Sequence, residues 1–556
     1  MPYNLLWIIA DQLRQDGLGC YGNRMIQTPH LDHLASEASV LENVQVANPL
    51  CMPSRATLIS GLYPHQHGVW NNGVPLSDWV PTLANVFASY NYHTFAIGKL
   101  HFTPNAGPYV PGWADNRTGW QQGLFDAWSG PYFGFNEVAL TLGHNFPGGH
   151  YGQYLHEKDP SLIDLFQRTN ALEDHGTPES WVSSLNEEHH ASWWIARRTV
   201  EALSRMQHED RSFFGWVSFP DPHHPFVPPM PYAKLYDPVD VPLPVRRVGE
   251  LDDKPEHFRR YFEGRMIHEG IGRQGFNPSA ITEPQIREII AHTYGQITLL
   301  DRAVGYILDY LRDSGFDDKT VIVFSSDHGE LLGDHGLLFK GPFLYEPLTR
   351  IPCLIRVPGF GPQRNTTLFS SADLAPSLLS YIGLPLHKQC VVVCRKGCPC
   401  KFKKPVQPAV APPHLNSWNK LITRVLSSLS VRRAQFLHEK PCGWIPWYLS
   451  IVPLTHCEYL CSADHDSGSQ IEMDHHKDHR VLLLGIQRTM SGDAVQSVEI
   501  LKSTAERLPM IDIQSALHPH WRDEVTHRKE AETDLTWILE AEGRCRTATR
   551  GLSSHY

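Results

Sequence analysis

The sequence predicts an α/β protein whose large, mostly parallel sheet carries helices on both faces, with a smaller α+β part toward the C-terminus. Asn4–Ala10 is a short continuous apolar run, the pattern of a strand buried on both sides. Residues 320–324 form a β-branched run that stops at Ser325-Ser326-Asp327-His328-Gly329-Glu330. Between the two, strands and helices alternate and polar residues collect at the strand ends, as a doubly covered sheet requires. At 556 residues the chain exceeds one core. The reading divides it into a large domain at 1–385, an atypical Cys/Lys/Pro-rich segment at 386–480, and a remainder at 481–556 with a closing helix.

The elements follow in order. The first strand delivers Asp11 and Gln12 at its carboxyl end, where ligands gather in open α/β sheets. Residues 28–35 start a helix with Thr28 as cap and Pro29 in its first turn. A helix over 54–60, directly after Cys51, would turn its free N–H groups and positive dipole end toward an anion held at residue 51. Residues 80–90 read as a helix and 94–97 as a strand ending in Gly98-Lys99-Leu100-His101-Phe102. The stretch 104–186, rich in Gly, Trp, Tyr and His without clear periodicity, reads as long loops over the mouth of a site. Residues 187–206 read as one helix and 212–219 as a strand leading into Asp221-Pro222-His223-His224-Pro225-Phe226. After a second loop-rich insertion at 228–275, Thr282 and Gln285 make a capping box. The helix they open carries Ile286, Ile289, Ile290, Ile297, Leu300, Val304, Ile307, Leu308 and Leu311 as an apolar stripe and ends near Ser314-Gly315.

Composition narrows the function. Hydrophobic content of 41% with 19% charged residues is that of a soluble globular chain. A formal charge of −10 argues against nucleic-acid and anionic-membrane partners, both of which want a basic face. Chemistry on an anionic substrate must then rely on a local cationic pocket. The N-terminus lacks the basic n-region of a signal peptide and no run of eighteen apolar residues occurs, so the default compartment is the cytoplasm. Of eleven cysteines, Cys390, Cys394, Cys398, Cys400, Cys442, Cys457 and Cys461 crowd together. Disulfides are not expected in such a compartment, and Cys-x3-Cys-x3-Cys-x-Cys lacks the paired spacing of structural zinc sites.

One short motif stands apart: Cys51-Met52-Pro53-Ser54-Arg55. A free Cys is more often a small buried hydrophobe than a nucleophile. A thiolate phosphatase loop needs Arg six positions after its Cys, and position 57 is Thr. Asp11, Gln12, Asp327 and His328 lie at the ends of two strands. Taken singly they would be exposed carboxylates or satisfied polar groups. Together, oxygen donors with one imidazole suit a hard or borderline divalent cation such as calcium, manganese or magnesium. Lys99, His101, His223 and Lys340 complete the set: fixed cations and an imidazole around a developing charge lower the barrier to ester cleavage.

The motif resembles the signature of the type I, formylglycine-dependent sulfatases of the alkaline phosphatase superfamily. The resemblance extends over most of 1–385 through Asp11-Gln12, Cys51 to Arg55, Gly98 to His101, Pro222 to Phe226, Ser326 to Gly329, and Gly333-Asp334-His335-Gly336 to Lys340, in that order. It implies an alkaline-phosphatase-like three-layer sandwich and hydrolysis of a small sulfate ester. In that family a maturation enzyme, here an implied partner, oxidises the cysteine to formylglycine. The hydrated aldehyde is a geminal diol: one hydroxyl attacks sulfur and the other later expels sulfate, which Ser or Cys could not do without water. The resemblance further implies Asp11, Gln12, Asp327 and His328, joined by modified Cys51, as ligands of one divalent cation, calcium first and manganese or magnesium as alternatives. Arg55 would support the diol, Lys99 and Lys340 would hold sulfate, His101 would assist elimination, and His223 would serve the leaving group. Asn72 and the phrase Gly98 to Phe102 look like the choline-sulfatase-like or arylsulfatase branch, with Asn72 as a sulfate contact.

Two alternatives stand beside this reading. Asp11-Gln12 and Asp327-His328 also look like the pairs of phosphonate monoester hydrolases, so a phosphonate monoester or phosphodiester substrate fits the same machinery. A non-catalytic anion- or glycan-binding relative would have lost Cys51, Arg55 or a metal ligand, and none is lost. The chain departs from the family after Ile382-Gly383-Leu384-Pro385, where residues of about 390–480 read as a divergent insertion or a frame-shifted segment. A helix at 521–540 is expected to close the chain. The alcohol carried by the sulfate, and whether the chain forms a homo-oligomer, stay open.

Overall fold

A computed structural model describes residues 3–385, apart from 145, 245 and 266–275, together with three strand segments beyond them. The chain divides into two compact units, Met1–Val406 and Gln407–Tyr556. In the first, nine strands form one mixed sheet in the order β4-β3-β5-β1-β6-β8-β2-β7, with β9 beside β2. These are β1 (Asn4–Ala10), β2 (Ser39–Gln45), β3 (His93–Gly98), β4 (Glu137–Leu140), β5 (Phe213–Ser218), β6 (Thr320–Ser326), β7 (Arg350–Ile351), β8 (Cys353–Arg356) and β9 (Gln363–Ser370). The run β4-β3-β5-β1-β6 is parallel throughout, whereas β8 and β7 pair antiparallel with their neighbours.

The two faces of the sheet feed separate cores. Leu6, Ile8, Ile322 and Phe324 point into one, packed under the long Glu283–Asp313 helix and the Ala191–His208 helix. Leu5, Trp7, Ile9, Val321 and Val323 point into the other, against the Leu83–Ser89 helix and helix α2 (Cys51–Ser60), the helix that follows α1 (Pro29–Glu37) in the chain. Alternate residues of one strand thus bury on opposite sides, which is why the runs are apolar without a break.

Several expected boundaries shift. The capping box at Thr282 forms, its N–H donating to Gln285 Oε1 at 2.9 Å. The helix expected over 187–206 is interrupted: Glu187–His189 is a 3₁₀ turn, and the α-helix starts at Ala191 because His190 is extended and its Nδ1 accepts from the Ser192 N–H at 3.3 Å. The region 104–186 is not loop alone, since it contributes the edge strand β4 and the helix His150–Lys158. In the second unit, Ile451–Leu454, Gln470–His475 and Val481–Ile486 pair into a three-stranded antiparallel sheet, with strands on both sides of the boundary expected at 480. The cysteine cluster from Cys390 to Cys461 and the helix expected at 521–540 lie outside the described residues. Among the described residues, no helix is long and apolar enough to cross a membrane.

Candidate active site

Parallel pairing sets the first layer of the site. Register matches Ala10 with Ser326, and Gly98 with Ser218. The residues that follow therefore emerge side by side at one edge of the sheet: Asp11 and Gln12, Asp327 and His328, Lys99, and the 221–224 loop. Gly98 is required for this geometry, because it holds φ +99° and a Cβ would stand 1.9 Å from the Ser218 carbonyl oxygen.

Helix α2 supplies the second layer, and it begins at Cys51 itself rather than at Ser54. Pro53 does not delay it, since a first-turn residue has no helical carbonyl to donate to. All ten residues of α2 are buried. Arg55, fully buried, donates to Asp327 Oδ2 at 2.8 Å, Asp11 Oδ2 at 3.0 Å, the Lys99 carbonyl at 2.8 Å and Ser218 Oγ at 2.8 Å. One guanidinium therefore joins β1, β3, β5 and β6 to the helix that carries Cys51. Asn72 sits at the start of that helix, accepting from the Met52 N–H at 3.1 Å. Its carbonyl oxygen is thereby committed, leaving its amide N–H groups as the part that can face an anion.

His67 anchors the same helix. Its Nδ1 accepts from the Val69 N–H at 3.1 Å, so its Nε2 proton meets Thr57 Oγ at 3.0 Å. Burial, with His65 nearby, pushes the imidazole down to about 4. The folded state thus disfavours the proton that the unfolded state takes up near pH 6.5. Stability from this group is present above pH 6.5 and is lost as pH falls through about 4. On the order of 3 kcal/mol is at stake. His67→Gln is expected to flatten the fall in thermal midpoint between pH 7 and pH 4, as read by scanning calorimetry.

Single donor atoms of Asp11, Cys51, Asp327 and His328 converge within 4.8 Å of one another. His328 Nδ1 donates to the Gly329 carbonyl at 2.8 Å, which leaves the Nε2 lone pair facing Cys51 Sγ at 3.3 Å. A carbonyl partner on the far nitrogen is the arrangement that orients a ligating imidazole. Asp11 Oδ1 is buried with no hydrogen-bond partner among the described residues. Two carboxylates, one of them with an orphaned oxygen, and an imidazole of fixed tautomer fit a divalent cation. Gln12, expected among the ligands, presents its amide oxygen to Lys340 Nζ at 2.6 Å and its amide nitrogen to Glu330.

The remaining expected residues surround the thiol. Burial raises the Cys51 thiol, but Lys340 and Lys99 more than reverse this and hold it well below the usual thiol range. The same reversal operates at Asp11, which Lys99 and Arg55 keep well below the carboxylate range despite burial. His101 lies half-buried beside the thiol, and desolvation keeps its imidazole below its ordinary value although Cys51 opposes this. The backbone of His101 is at φ +59° and is held by Asp115, whose carboxylate accepts from the N–H groups of His101, Phe102 and Thr103 at 2.8, 3.1 and 3.1 Å. His223 accepts from Lys340 Nζ at Nε2 and points Nδ1 at the His224 carbonyl. Burial, then His144 and Lys340, push it well below the usual imidazole range.

Three contributors went unseen in the sequence. Asp115 clamps the turn that presents His101. Glu330 accepts from the N–H of Leu332 at 2.9 Å and from that of Phe339, folding the loop so that Lys340 returns to the site. His144, after β4, places Nε2 2.8 Å from Lys99 Nζ and stacks on His223 with ring centroids 3.2 Å apart. Recognising β4 would have revealed it, because that strand is parallel to β3 and its following loop lies at the ligand-binding edge.

The family model described as Sulfatase matches residues 3–384. The chain belongs to the sulfatase family. Its relatives include an arylsulfatase of Clostridium perfringens (strain 13 / Type A), 31% identical over 368 residues, covering 65% of this chain and 69% of the relative. A choline-sulfatase of Rhizobium meliloti (strain 1021) is 28% identical over 388 residues, covering 69% of this chain and 68% of the relative. Among solved structures, the phosphonate monoester hydrolase of Agrobacterium radiobacter superposes with a TM-score of 0.58 at 27% identity, covering 69% of this chain and 74% of that one. A phosphonate monoester hydrolase from Silicibacter pomeroyi reaches 0.58 at 20% identity over 91% of this chain and 94% of that one, a likeness of fold. This sulfatase-family chain therefore has the expected α/β architecture, and the residues singled out in its sequence lie at one edge of its sheet.

Proposed function

We propose that the protein hydrolyses a small sulfate ester, using as nucleophile the side chain formed by oxidation of Cys51 beside one divalent cation. The observation that carries this reading is the convergence of Asp11, Cys51, Asp327 and His328 donor atoms within 4.8 Å, on a thiol facing both Lys99 and Lys340. Formylglycine at residue 51, made by a maturation enzyme, supplies a geminal diol with one oxygen for attack and another for release of sulfate. Asp11, Gln12, Asp327 and His328 with modified residue 51 would hold the cation, calcium first among the hard ions, which when bound would polarise ester oxygens and favour the ionised nucleophile.

The chain's own residues do the rest. Lys99 and Lys340 create the positive field that depresses the Cys51 thiol, and the same field favours a sulfuryl group whose charge is moving to its leaving oxygen. His101 lies against residue 51 and is placed to take its proton. His223 and Lys340 form the proton-donating pair for the leaving oxygen: the ammonium proton shared at His223 Nε2 goes to that oxygen as the contact between the two side chains gives way. Arg55 fixes both carboxylates so that neither drifts from the cation.

A phosphonate monoester substrate is the second reading, favoured by the likeness to the Agrobacterium radiobacter enzyme at 27% identity. Mass analysis of the tryptic peptide 25–55, with turnover of nitrophenyl sulfate and of a phenylphosphonate monoester, tests both readings. An unmodified thiol in active protein overturns the mechanism, and faster phosphonate cleavage selects the second substrate. Chelation gives a separate check. Removing the metal is expected to abolish turnover and lower the thermal midpoint, with both restored by calcium, manganese or magnesium, because the ion binds only the folded site.

A further inference from the structure

We infer that His144 is an anion-binding residue of this site, donating its Nδ1 proton to a non-bridging oxygen of the substrate's sulfuryl group. The inference rests on the sulfate-ester reading and names a contact that neither the motif nor its resemblance supplies. Lysine ammonium has donors and no acceptor, so the 2.8 Å contact makes Nε2 of His144 the acceptor and leaves the proton on Nδ1. That Nδ1 is buried and has no hydrogen-bond partner among the described residues. It lies 3.9 Å from Asp11 Oδ2, too far for a hydrogen bond but on the side of the cation ligands. His223, stacked face to face with His144 at 4° between planes, is already satisfied at both nitrogens by Lys340 and the His224 carbonyl. His144 therefore offers a committed donor with no acceptor among the described residues, beside Lys99, which it touches, and His223, which touches Lys340.

Asp11, His144 and His223 also have the spacing of a metal cluster. A second dication there would face the ammonium groups bonded to both imidazoles, whereas an anion would be attracted by them. The arrangement is thus built for an acceptor oxygen.

The test uses the full chain with its metal and Cys51→Ala, so that inorganic sulfate binds without reacting and is followed by titration calorimetry. His144→Phe, which keeps the stacking surface, is expected to weaken sulfate binding roughly 10- to 100-fold, the loss of one hydrogen bond to a charged group. His144→Asn, whose amide N–H stands where Nδ1–H stood, is expected to recover most of it. Metal content should stay at one ion per chain in all three proteins. In enzyme with Cys51 intact, His144→Phe should lower kcat/KM by a similar factor for aryl sulfates of every leaving-group pKa, as a contact to a non-bridging oxygen requires. Unchanged sulfate affinity in a folded His144→Phe protein, or a second ion lost with that variant, overturns the inference. Failure of the wild type to cleave any sulfate ester would instead overturn the functional reading, whatever the calorimetry gives.

Discussion

Cys51→Ala is expected to lower turnover of an aryl sulfate by at least about 10⁴-fold while leaving the fold intact. Nucleophile knockouts in other hydrolases lose that much because the residual cradle still binds but cannot attack. The thiol is small, buried and at the first position of α2, so a methyl group replaces it with little change in volume. Cys51→Ser gives the sharper result. A serine hydroxyl has one oxygen, so it can attack sulfur but has no second oxygen to expel the product. With Cys51→Ser the protein should release one equivalent of alcohol in a burst and then stall, carrying a sulfuryl group on peptide 25–55 by mass spectrometry. Sustained turnover in either variant would remove residue 51 from the chemistry.

Arg55→Met is expected to destabilise the first unit by roughly 3–5 kcal/mol, the cost of leaving a buried charge without its partner. The guanidinium is fully buried and bonded to two carboxylates, a carbonyl and a hydroxyl. Its removal leaves Asp11 and Asp327 with the more distant Lys340, with Lys99 and with backbone N–H groups to offset them. Urea unfolding followed through the buried Trp7 and Trp216 should show a lower midpoint, and more so in metal-stripped protein. Adding Asp327→Asn should recover part of the loss in stability without restoring activity. A midpoint shift below about 1 kcal/mol would mean the arginine is not the tie between helix and sheet that its contacts describe.

Where the sequence was legible, the reason is local. β1 and β6 are buried on both faces, so their apolar runs are continuous and each ends abruptly at a metal-ligand candidate. The Cys51 motif and the capping box at Thr282 are likewise written in residues close together in the chain. The strand β4 was missed because four residues, Glu137–Leu140, carry too little periodicity to stand out from aromatic-rich loops. His144 was missed with it. The helix break at His190 depends on one side chain capping the next turn, a choice that helical periodicity through the same residues does not reveal.

The sequence by itself determined the chemistry available: which acids, imidazoles and cations stand at strand ends, and that the only special cysteine motif opens a helix. Tertiary structure alone decided their allotment. Gln12 meets Lys340 and Glu330, and His144 meets Lys99 and His223, because each of these contacts links residues far apart in the chain. Such pairings follow from strand register and burial, where a donor must take whichever acceptor the packed neighbours bring within reach.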